Sequence, residues 1–133
     1  MKGNKQQSKA LNISLWVVQA IMALMFIGTG IFKLITPVSE IAKMWPWAGE
    51  NSNLLRFTGL IDLLGGIGII VPTITKIKPA LSAYAALGCA MLMICAIVFH
   101  FSRGEGANTP FNFALLSLAL FVFWGRRKDG ATE

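Results

Sequence analysis

Residues 54–71 read LLRFTGLIDLLGGIGIIV, an apolar stretch of 18 residues that contains a single acid, Asp62. A stretch of this length and composition is typical of a helix that spans a lipid bilayer. An acid in the middle of such a helix costs about 2.5–3.5 kcal/mol on insertion scales, so it persists where it has a partner or a function. Four glycines lie near the acid, and residues this small let a neighbouring helix approach closely. The stretch therefore predicts a membrane helix with a paired or functional carboxylate.

The composition of the whole chain agrees with a membrane protein. The 133 residues are 55% hydrophobic and 14% charged, whereas an ordinary soluble domain has about 25% charged residues. The net charge of +6 arises from short basic clusters beside apolar runs. This placement is expected of contacts with the lipid bilayer and its headgroups, and we therefore predict no nucleic-acid partner.

Three further apolar segments surround this stretch, at residues 13–35, 80–101 and 110–124. We expect the helix of residues 54–71 to stop at Pro72, because proline has no backbone N–H to continue the helical ladder. Pro79 suits the first turn of the next helix. The segment 110–124 is short for a hydrocarbon core of about 30 Å and fits a locally thin bilayer. Four such segments in succession predict an all-α fold, a bundle of four transmembrane helices.

The distribution of basic residues predicts the orientation of this bundle. Eight of them fall on one side of the membrane and four on the other: Lys2, Lys5, Lys9, Lys76, Lys78, Arg126, Arg127 and Lys128 against Lys33, Lys43, Arg56 and Arg103. The side richer in lysine and arginine faces the cytoplasm. Both termini are therefore expected to be cytoplasmic, with a basic N-terminal tail at residues 1–12, a membrane domain at residues 13–127 and a short tail at residues 128–133.

Helical projection indicates which faces turn inward. At 100° per residue each segment places small or polar residues on one face. The inward faces are predicted to hold Gln19, Met22, Phe26, Thr29 and Lys33; Gly59, Asp62, Gly65 and Gly66; Ser82, Ala85, Ala86, Cys89, Met93, Ala96 and His100; and Asn112, Leu116, Ala119 and Phe123.

Four polar residues on these faces fall near the outer side of the predicted bundle. Lys33, His100 and Asn112 lie at the outer ends of their helices, and Asp62 lies ~12 Å deeper along its helix. We expect them to line one outward-facing funnel with Asp62 at its floor. Asp62 then titrates, His100 relays protons, and Lys33 tunes the carboxylate or holds an anion. The alternative is a structural ion pair between Lys33 and Asp62 that fixes the register of two helices.

Three further residues belong to the rim of this funnel. Arg56 lies about 120° around the helix from Asp62, so direct pairing between the two is not expected. Trp45 and Trp47, in the connection after the first helix, are either interfacial anchors in the outer leaflet or a lid over a ligand site.

Several chemistries lack their sequence signatures. Cys89 and Cys95 are six residues apart and point away from each other on one helix, and no C-x-x-C motif is present. A single histidine without cysteine or carboxylate at ligand spacing predicts no metal site. No phosphate-binding or dinucleotide motif occurs. The residues indicate no cofactor, and redox chemistry would need a quinone or a partner subunit.

Three motifs resemble the DoxX family of small four-helix membrane proteins. They are GTGIFKL at residues 28–34, RFTGLIDLLGG at residues 56–66, and His100 together with PFN at residues 110–112. The resemblance covers residues 15–127. It implies a multi-pass protein of the bacterial inner membrane, and it marks Lys33, Arg56, Asp62, His100 and Asn112 as the positions to test.

The resemblance also implies a range of functions. Some relatives look like subunits of quinone-linked or oxidant-defence complexes, and others resemble membrane assembly factors. The leading hypothesis is an accessory, ligand-holding subunit of a redox-linked membrane assembly, not an enzyme as an isolated chain, with a quinone or lipid near Asp62 and a membrane protein or a second copy as partner. Two alternatives remain, a small proton-coupled exporter that uses Asp62 and a chaperone or scaffold for membrane-protein assembly.

Overall fold

The computed structural model describes residues 8–78 and 80–127, and these residues are almost entirely helical. The helices are α1 (Lys9–Ile35), α2 (Val38–Met44), α3 (Pro46–Glu50), α4 (Ser52–Thr75), α5 (Ala80–Ser102) and α6 (Pro110–Arg126), with a 3-10 turn at Gly106–Asn108. No strand occurs in the described ranges. The predicted all-α class is confirmed. Pro79 and the predicted tail residues 1–7 and 128–133 lie outside the described residues.

Among the helices of the described residues, three are long and apolar enough to cross a membrane, namely α1, α4 and α5. The fourth apolar helix, α6, has 17 residues, and its length at ~1.5 Å per residue falls short of the ~30 Å hydrocarbon core. Around the bundle α1 packs chiefly on α4, α4 on α5, and α5 on α6, with a weaker contact between α6 and α1. The core between them includes the fully buried residues Met22, Ile69, Ala86, Ala119 and Val122.

Glycines set the spacing between α1 and α4. A Cβ atom on Gly30 would lie 2.7 Å from the carbonyl oxygen of Gly59 and from the amide nitrogen of Leu63. A Cβ atom on Gly59 would lie 2.7 Å from the Cβ of Lys33. All three contacts are too short for real atoms, so α1 and α4 approach this closely only because Gly30 and Gly59 lack side chains. This close approach brings the inward faces of α1 and α4 together.

The ends of two helices differ from the prediction. α1 begins at Lys9, where Ser8 accepts a hydrogen bond from the Leu11 amide at 3.0 Å and acts as the N-cap. The prediction that the second long helix stops at Pro72 was wrong, because α4 continues to Thr75 with this proline inside it. Pro72 has no N–H, so the helix loses only the backbone bond to the carbonyl of Gly68, and the residues after it keep the helical conformation to Thr75.

The inward face of α6 is also rotated from the predicted one. Its buried residues are Leu115, Ala119, Val122, Gly125 and Arg126, whereas Leu116 and Phe123 are half-buried. Arg126 is only 4% exposed, and turning its guanidinium into the bundle brings Leu115 and Val122 inward with it. The rotation was not predictable from hydrophobicity because both faces of α6 are apolar.

Candidate functional site

A buried ion pair joins α1 to α4. The Nζ atom of Lys33 lies 2.9 Å from Oδ2 of Asp62, and the two side chains are 13% and 4% exposed. Lys33 also donates to the hydroxyl of Thr58 at 3.5 Å. The lysine therefore turns into the bundle instead of reaching outward to lipid headgroups, and it meets the acid although the acid lies deeper along its helix.

Arg56 fixes the end of α1 and does not reach Asp62. Its Nη1 atom donates to the carbonyl oxygen of Lys33 and, at 2.9 Å, to that of Thr36. The last carbonyls of a helix lack helical partners, so a guanidinium at this place completes the end of α1. Because one of these carbonyls belongs to Lys33 itself, Arg56 holds the backbone from which the ion pair starts.

The ion pair forms part of the wall of a cavity of about 660 Å³. This volume is typical of small-molecule sites in proteins. The polar part of the lining is Thr29, Lys33, Thr58, Asp62, His100, Glu105 and Asn112, and the apolar part includes Met25, Phe26, Leu92, Met93, Leu115 and Phe111. The cavity thus combines an apolar body with a few polar groups, the usual make-up of a ligand site.

The short helices α2 and α3 cover this cavity. Their inner residues Ile41 and Ala48 are fully buried against Leu55 of α4. Trp45 lies between the two helices and Trp47 lies in the first turn of α3. Their ring centroids are 6.5 Å apart, and both residues line the cavity. We call α2, α3 and the two tryptophans the aromatic cap. Both tryptophans are half-buried.

Ring contacts attach the aromatic cap to both halves of the bundle. Trp45 meets Phe32 of α1 edge to face at 5.9 Å, and the Nζ of Lys33 lies 6.0 Å from the centre of the Trp45 ring. Trp47 meets Phe99 and His100 of α5 at 5.6 Å and 6.4 Å. The cap therefore contacts the cation of the ion pair on one side and the histidine on the other.

The connection between α5 and α6 brings an acid onto His100. Gly104 has a φ of +75°, which suits glycine. The amide of Glu105 donates to the carbonyl of His100 at 2.7 Å, and that of Gly104 to the carbonyl of Phe101 at 3.1 Å. These two bonds make a Schellman motif. The turn returns the chain so that Oε1 of Glu105 lies 3.0 Å from Nδ1 of His100.

Arg103 extends this contact to the cap. Its guanidinium lies 3.2 Å from Oε2 of Glu105 and 2.8 Å from Oε1 of Glu50, the last residue of α3. The hydrogen bond from His100, together with the Arg103 guanidinium, holds the pKa of Glu105 below its usual value. The hydrogen bond to Glu50, with the contacts to Glu105, raises the pKa of Arg103. Both groups are therefore charged at neutral pH.

A second polar cluster lies at the opposite end of the bundle and was not predicted. Gln19 donates to the Ile69 carbonyl at 2.7 Å and to the Thr73 hydroxyl at 3.0 Å, and it accepts from Nε of Arg126 at 2.8 Å. Arg126 also donates to Asn12 at 2.9 Å. Thr73 donates to Ser82 at 2.7 Å. These bonds join α1, α4, α5 and α6, and Arg126, counted in the sequence as a membrane-surface cation, is instead a buried member of the cluster.

The structure brings six of the seven candidate residues to one cavity. Its lining contains Asp62, Lys33, His100, Asn112, Trp45 and Trp47, whereas Arg56 is not among the lining residues and acts on the α1 terminus. Glu105 was missed in the sequence; its spacing of five residues from His100 was the available signal. Within residues 8–78 and 80–127 no group of three or more His, Cys, Asp or Glu side chains is placed to hold a metal ion.

The apolar helices define the chain as a small, multi-pass integral membrane protein of a lipid bilayer. A family model agrees with that class and is more specific. The chain belongs to the DoxX-like family, whose model matches residues 17–122, and the family resemblance seen in the motifs is confirmed. No curated protein and no solved structure shows significant similarity to the chain.

Proposed function

We propose that this protein is an accessory subunit of a redox-linked membrane assembly and holds a quinone or a lipid in the capped cavity. The observation that carries the proposal is the Lys33–Asp62 pair in the wall of a cavity of about 660 Å³. Charged side chains inside a membrane cost free energy, and those that occur there usually serve a function. The position of this pair in the wall of a ligand-sized cavity therefore favours ligand binding over a purely structural role.

The hydrogen-bonding capacity of Lys33 supports a ligand with a polar head. An ammonium group has three protons to donate. One contact goes to Asp62 at 2.9 Å and a long one goes to Thr58 at 3.5 Å. Lys33 therefore retains donor capacity for an oxygen of a bound molecule, while Phe26, Met93 and Leu115 would surround the molecule's apolar body.

The placement in the membrane is part of the proposal. We infer that α6 is the fourth span, that both termini are in the cytoplasm of a bacterium, and that the aromatic cap faces away from the cytoplasm at the inner membrane. Two of the cations used to predict orientation are buried in polar contacts, Arg126 and Lys33. Leaving them out gives seven basic residues on one side against three on the other, so the asymmetry still favours this orientation.

The test is mass spectrometry of the molecules that remain bound when the protein is isolated in native lipid discs. Wild type and Asp62→Asn are compared, with Glu40→Gln as the matched control because Glu40 is an exposed acid on α2 whose contact is Lys43. We expect a quinone or lipid to accompany wild type and the control and to be lost from Asp62→Asn. Identical sets of bound molecules in all three proteins would contradict the proposal and favour a scaffold role.

A further inference from the structure

Glu105 determines which nitrogen of His100 carries the proton. An ionised carboxylate only accepts hydrogen bonds. Glu105 Oε1 lies 3.0 Å from Nδ1 of His100, and its other oxygen is taken by Arg103 at 3.2 Å. The Nδ1 atom must therefore be the donor in this contact. A neutral imidazole has one ring proton, so His100 in its neutral form has a bare Nε2, which is an acceptor.

The imidazole of His100 belongs to the cavity wall. His100 lines the cavity with 13% of its side chain exposed. Its Nδ1 atom is taken by Glu105, and within residues 8–78 and 80–127 no hydrogen bond to its Nε2 atom is found. The ring makes edge-to-face contacts with Trp47 and Phe99, at 6.4 Å and 5.6 Å. The orientation of the imidazole is therefore fixed before a ligand arrives.

Two walls of the cavity have opposite hydrogen-bonding character. Lys33 of α1 and His100 of α5 both line the cavity, and the aromatic cap contacts each of them. Lys33 offers a donor, and His100 offers an acceptor. A ligand oxygen that meets Lys33 can be a carbonyl or a hydroxyl, whereas one that meets Nε2 must carry a proton to form a bond.

We propose that Glu105 is a positioning residue that makes the site selective for the hydroxyl-bearing, reduced form of a ring ligand over its carbonyl, oxidised form. The proposal rests on the function proposed above, since it concerns the ligand of the same cavity. A carbonyl oxygen next to Nε2 would place two hydrogen-bond acceptors together, and neither would receive a proton. Buried polar groups left without a partner are the strongest basis for rejecting an analogue.

The binding test compares durohydroquinone with duroquinone, which share one ring and differ in their two oxygen groups. The full chain is placed in lipid discs without oxygen, and binding is followed by tryptophan fluorescence. We expect wild type to bind the reduced form at least about tenfold more tightly, the ratio that ~1.4 kcal/mol provides. In Glu105→Ala the proton is free to move to Nε2, so the ratio should fall towards one, while Glu40→Ala should keep the wild-type ratio.

A spectroscopic readout separates positioning from a merely structural role. The chain contains one histidine, so ¹⁵N-histidine labelling reports on His100 alone. Wild type should show the Nδ1-protonated form at neutral pH, and Glu105→Ala should shift towards the Nε2-protonated form.

The outcomes distinguish this inference from the function on which it rests. Equal binding of the two forms by wild type, or an Nε2-protonated imidazole in wild type, would overturn the inference and leave a ligand-holding cavity intact. Binding of neither form would overturn the inference and the quinone alternative of the proposed function, whereas the lipid alternative is decided by the mass spectrometry of bound molecules. If Glu105→Ala fails to fold, the ratio of the two affinities and the ¹⁵N-histidine spectrum of wild type still test the inference.

Discussion

Lys33 and Asp62 are drawn from antiparallel helices and meet at 2.9 Å one turn from the place where Gly30 and Gly59 bring the backbones together. The pair and the glycines depend on each other. Without the close approach the ammonium group would not reach the carboxylate, and without the pair two charges would be left inside the bundle. The ion pair in the cavity wall is thus also a contact that holds α1 against α4.

Breaking the ion pair should destabilise the protein more than removing it whole. Lys33→Met leaves a buried carboxylate, for which we expect a loss of about 3–5 kcal/mol in unfolding free energy. Lys33→Met combined with Asp62→Asn should recover much of this loss, because no charge remains buried. Denaturant titration in detergent measures the unfolding free energy of the single and the double variant. Lys43→Met is the control, since Lys43 forms an exposed pair of about 0–1 kcal/mol; equal losses for Lys33→Met and the control would contradict the expectation.

Two neighbouring glycines should respond to alanine in opposite directions. Gly30→Ala places a Cβ atom 2.7 Å from the α4 backbone, and we expect a loss of about 1–3 kcal/mol from overpacking. Gly28→Ala meets nothing within 4 Å and should be neutral or stabilising by up to about 1 kcal/mol, because alanine favours a helix. Thermal unfolding compares them, and a larger loss at Gly28 would show that the helices do not pack in this way.

Arg126 and Arg127, at the C-terminal end of α6, should also differ in their effect on stability. Arg126→Met removes the bonds to Gln19 and Asn12, and hydrogen bonds to a charged group contribute about 1.5–3 kcal/mol. Arg127 donates to the carbonyl of Trp124 in its own helix, so Arg127→Met should have little effect. Denaturant titration of the two variants should separate them clearly; matching values would place Arg126 at the surface.

The contact between Glu105 and His100 should weaken in acid. The pKa of Glu105 is lowered in the folded protein by His100 and then by Arg103. Its contribution to holding the cap is therefore present above the ordinary pKa of a glutamate and is lost as the pH falls through the lower folded value. Hydrogen exchange of residues 45–50 against pH should show faster opening in acid. Glu105→Gln should lose that dependence, and an unchanged pH profile in this variant would exclude Glu105 as the group.

The two cysteines should report on the occupancy of the cavity. Cys95 is exposed and lines the cavity, whereas Cys89 is buried. A membrane-permeant maleimide should label Cys95 in the folded protein and Cys89 only after unfolding. A ligand in the cavity should slow the labelling of Cys95. Cys95→Ala identifies the labelled site, and rapid labelling of this variant before unfolding would mean that Cys89 is accessible and the core more open than described.

The sequence predicted the apolar helices well because apolar length determines where a membrane helix can run, whereas Pro72 did not end α4. It also placed Lys33 and Asp62 on inward faces, since the acid and the lysine share a face with small residues. Their contact was predicted only as one of two alternatives. The distance depends on the tilt of two helices and on the conformation of a long side chain, and neither has a signal in a single sequence.

The rest of the site depends on local geometry that residue types do not reveal. Glu105 reaches His100 because Gly104 takes a left-handed conformation in the turn, which the spacing alone does not require. Arg126 and Arg127 are chemically the same, and only the rotation of α6 decides which one is buried. The aromatic cap was left open between two roles because tryptophans beside a membrane serve both as anchors and as covers.

The polar cluster around Gln19 has a mechanical consequence. It joins α1, α4, α5 and α6 at one end through bonds of 2.7–3.0 Å among buried groups. At the other end the cap is held by the partly exposed contacts of Arg103 with Glu50 and Glu105. We therefore expect the helices to stay packed together at the Gln19 end. A ligand would enter by separation of the cap from the bundle at the opposite end.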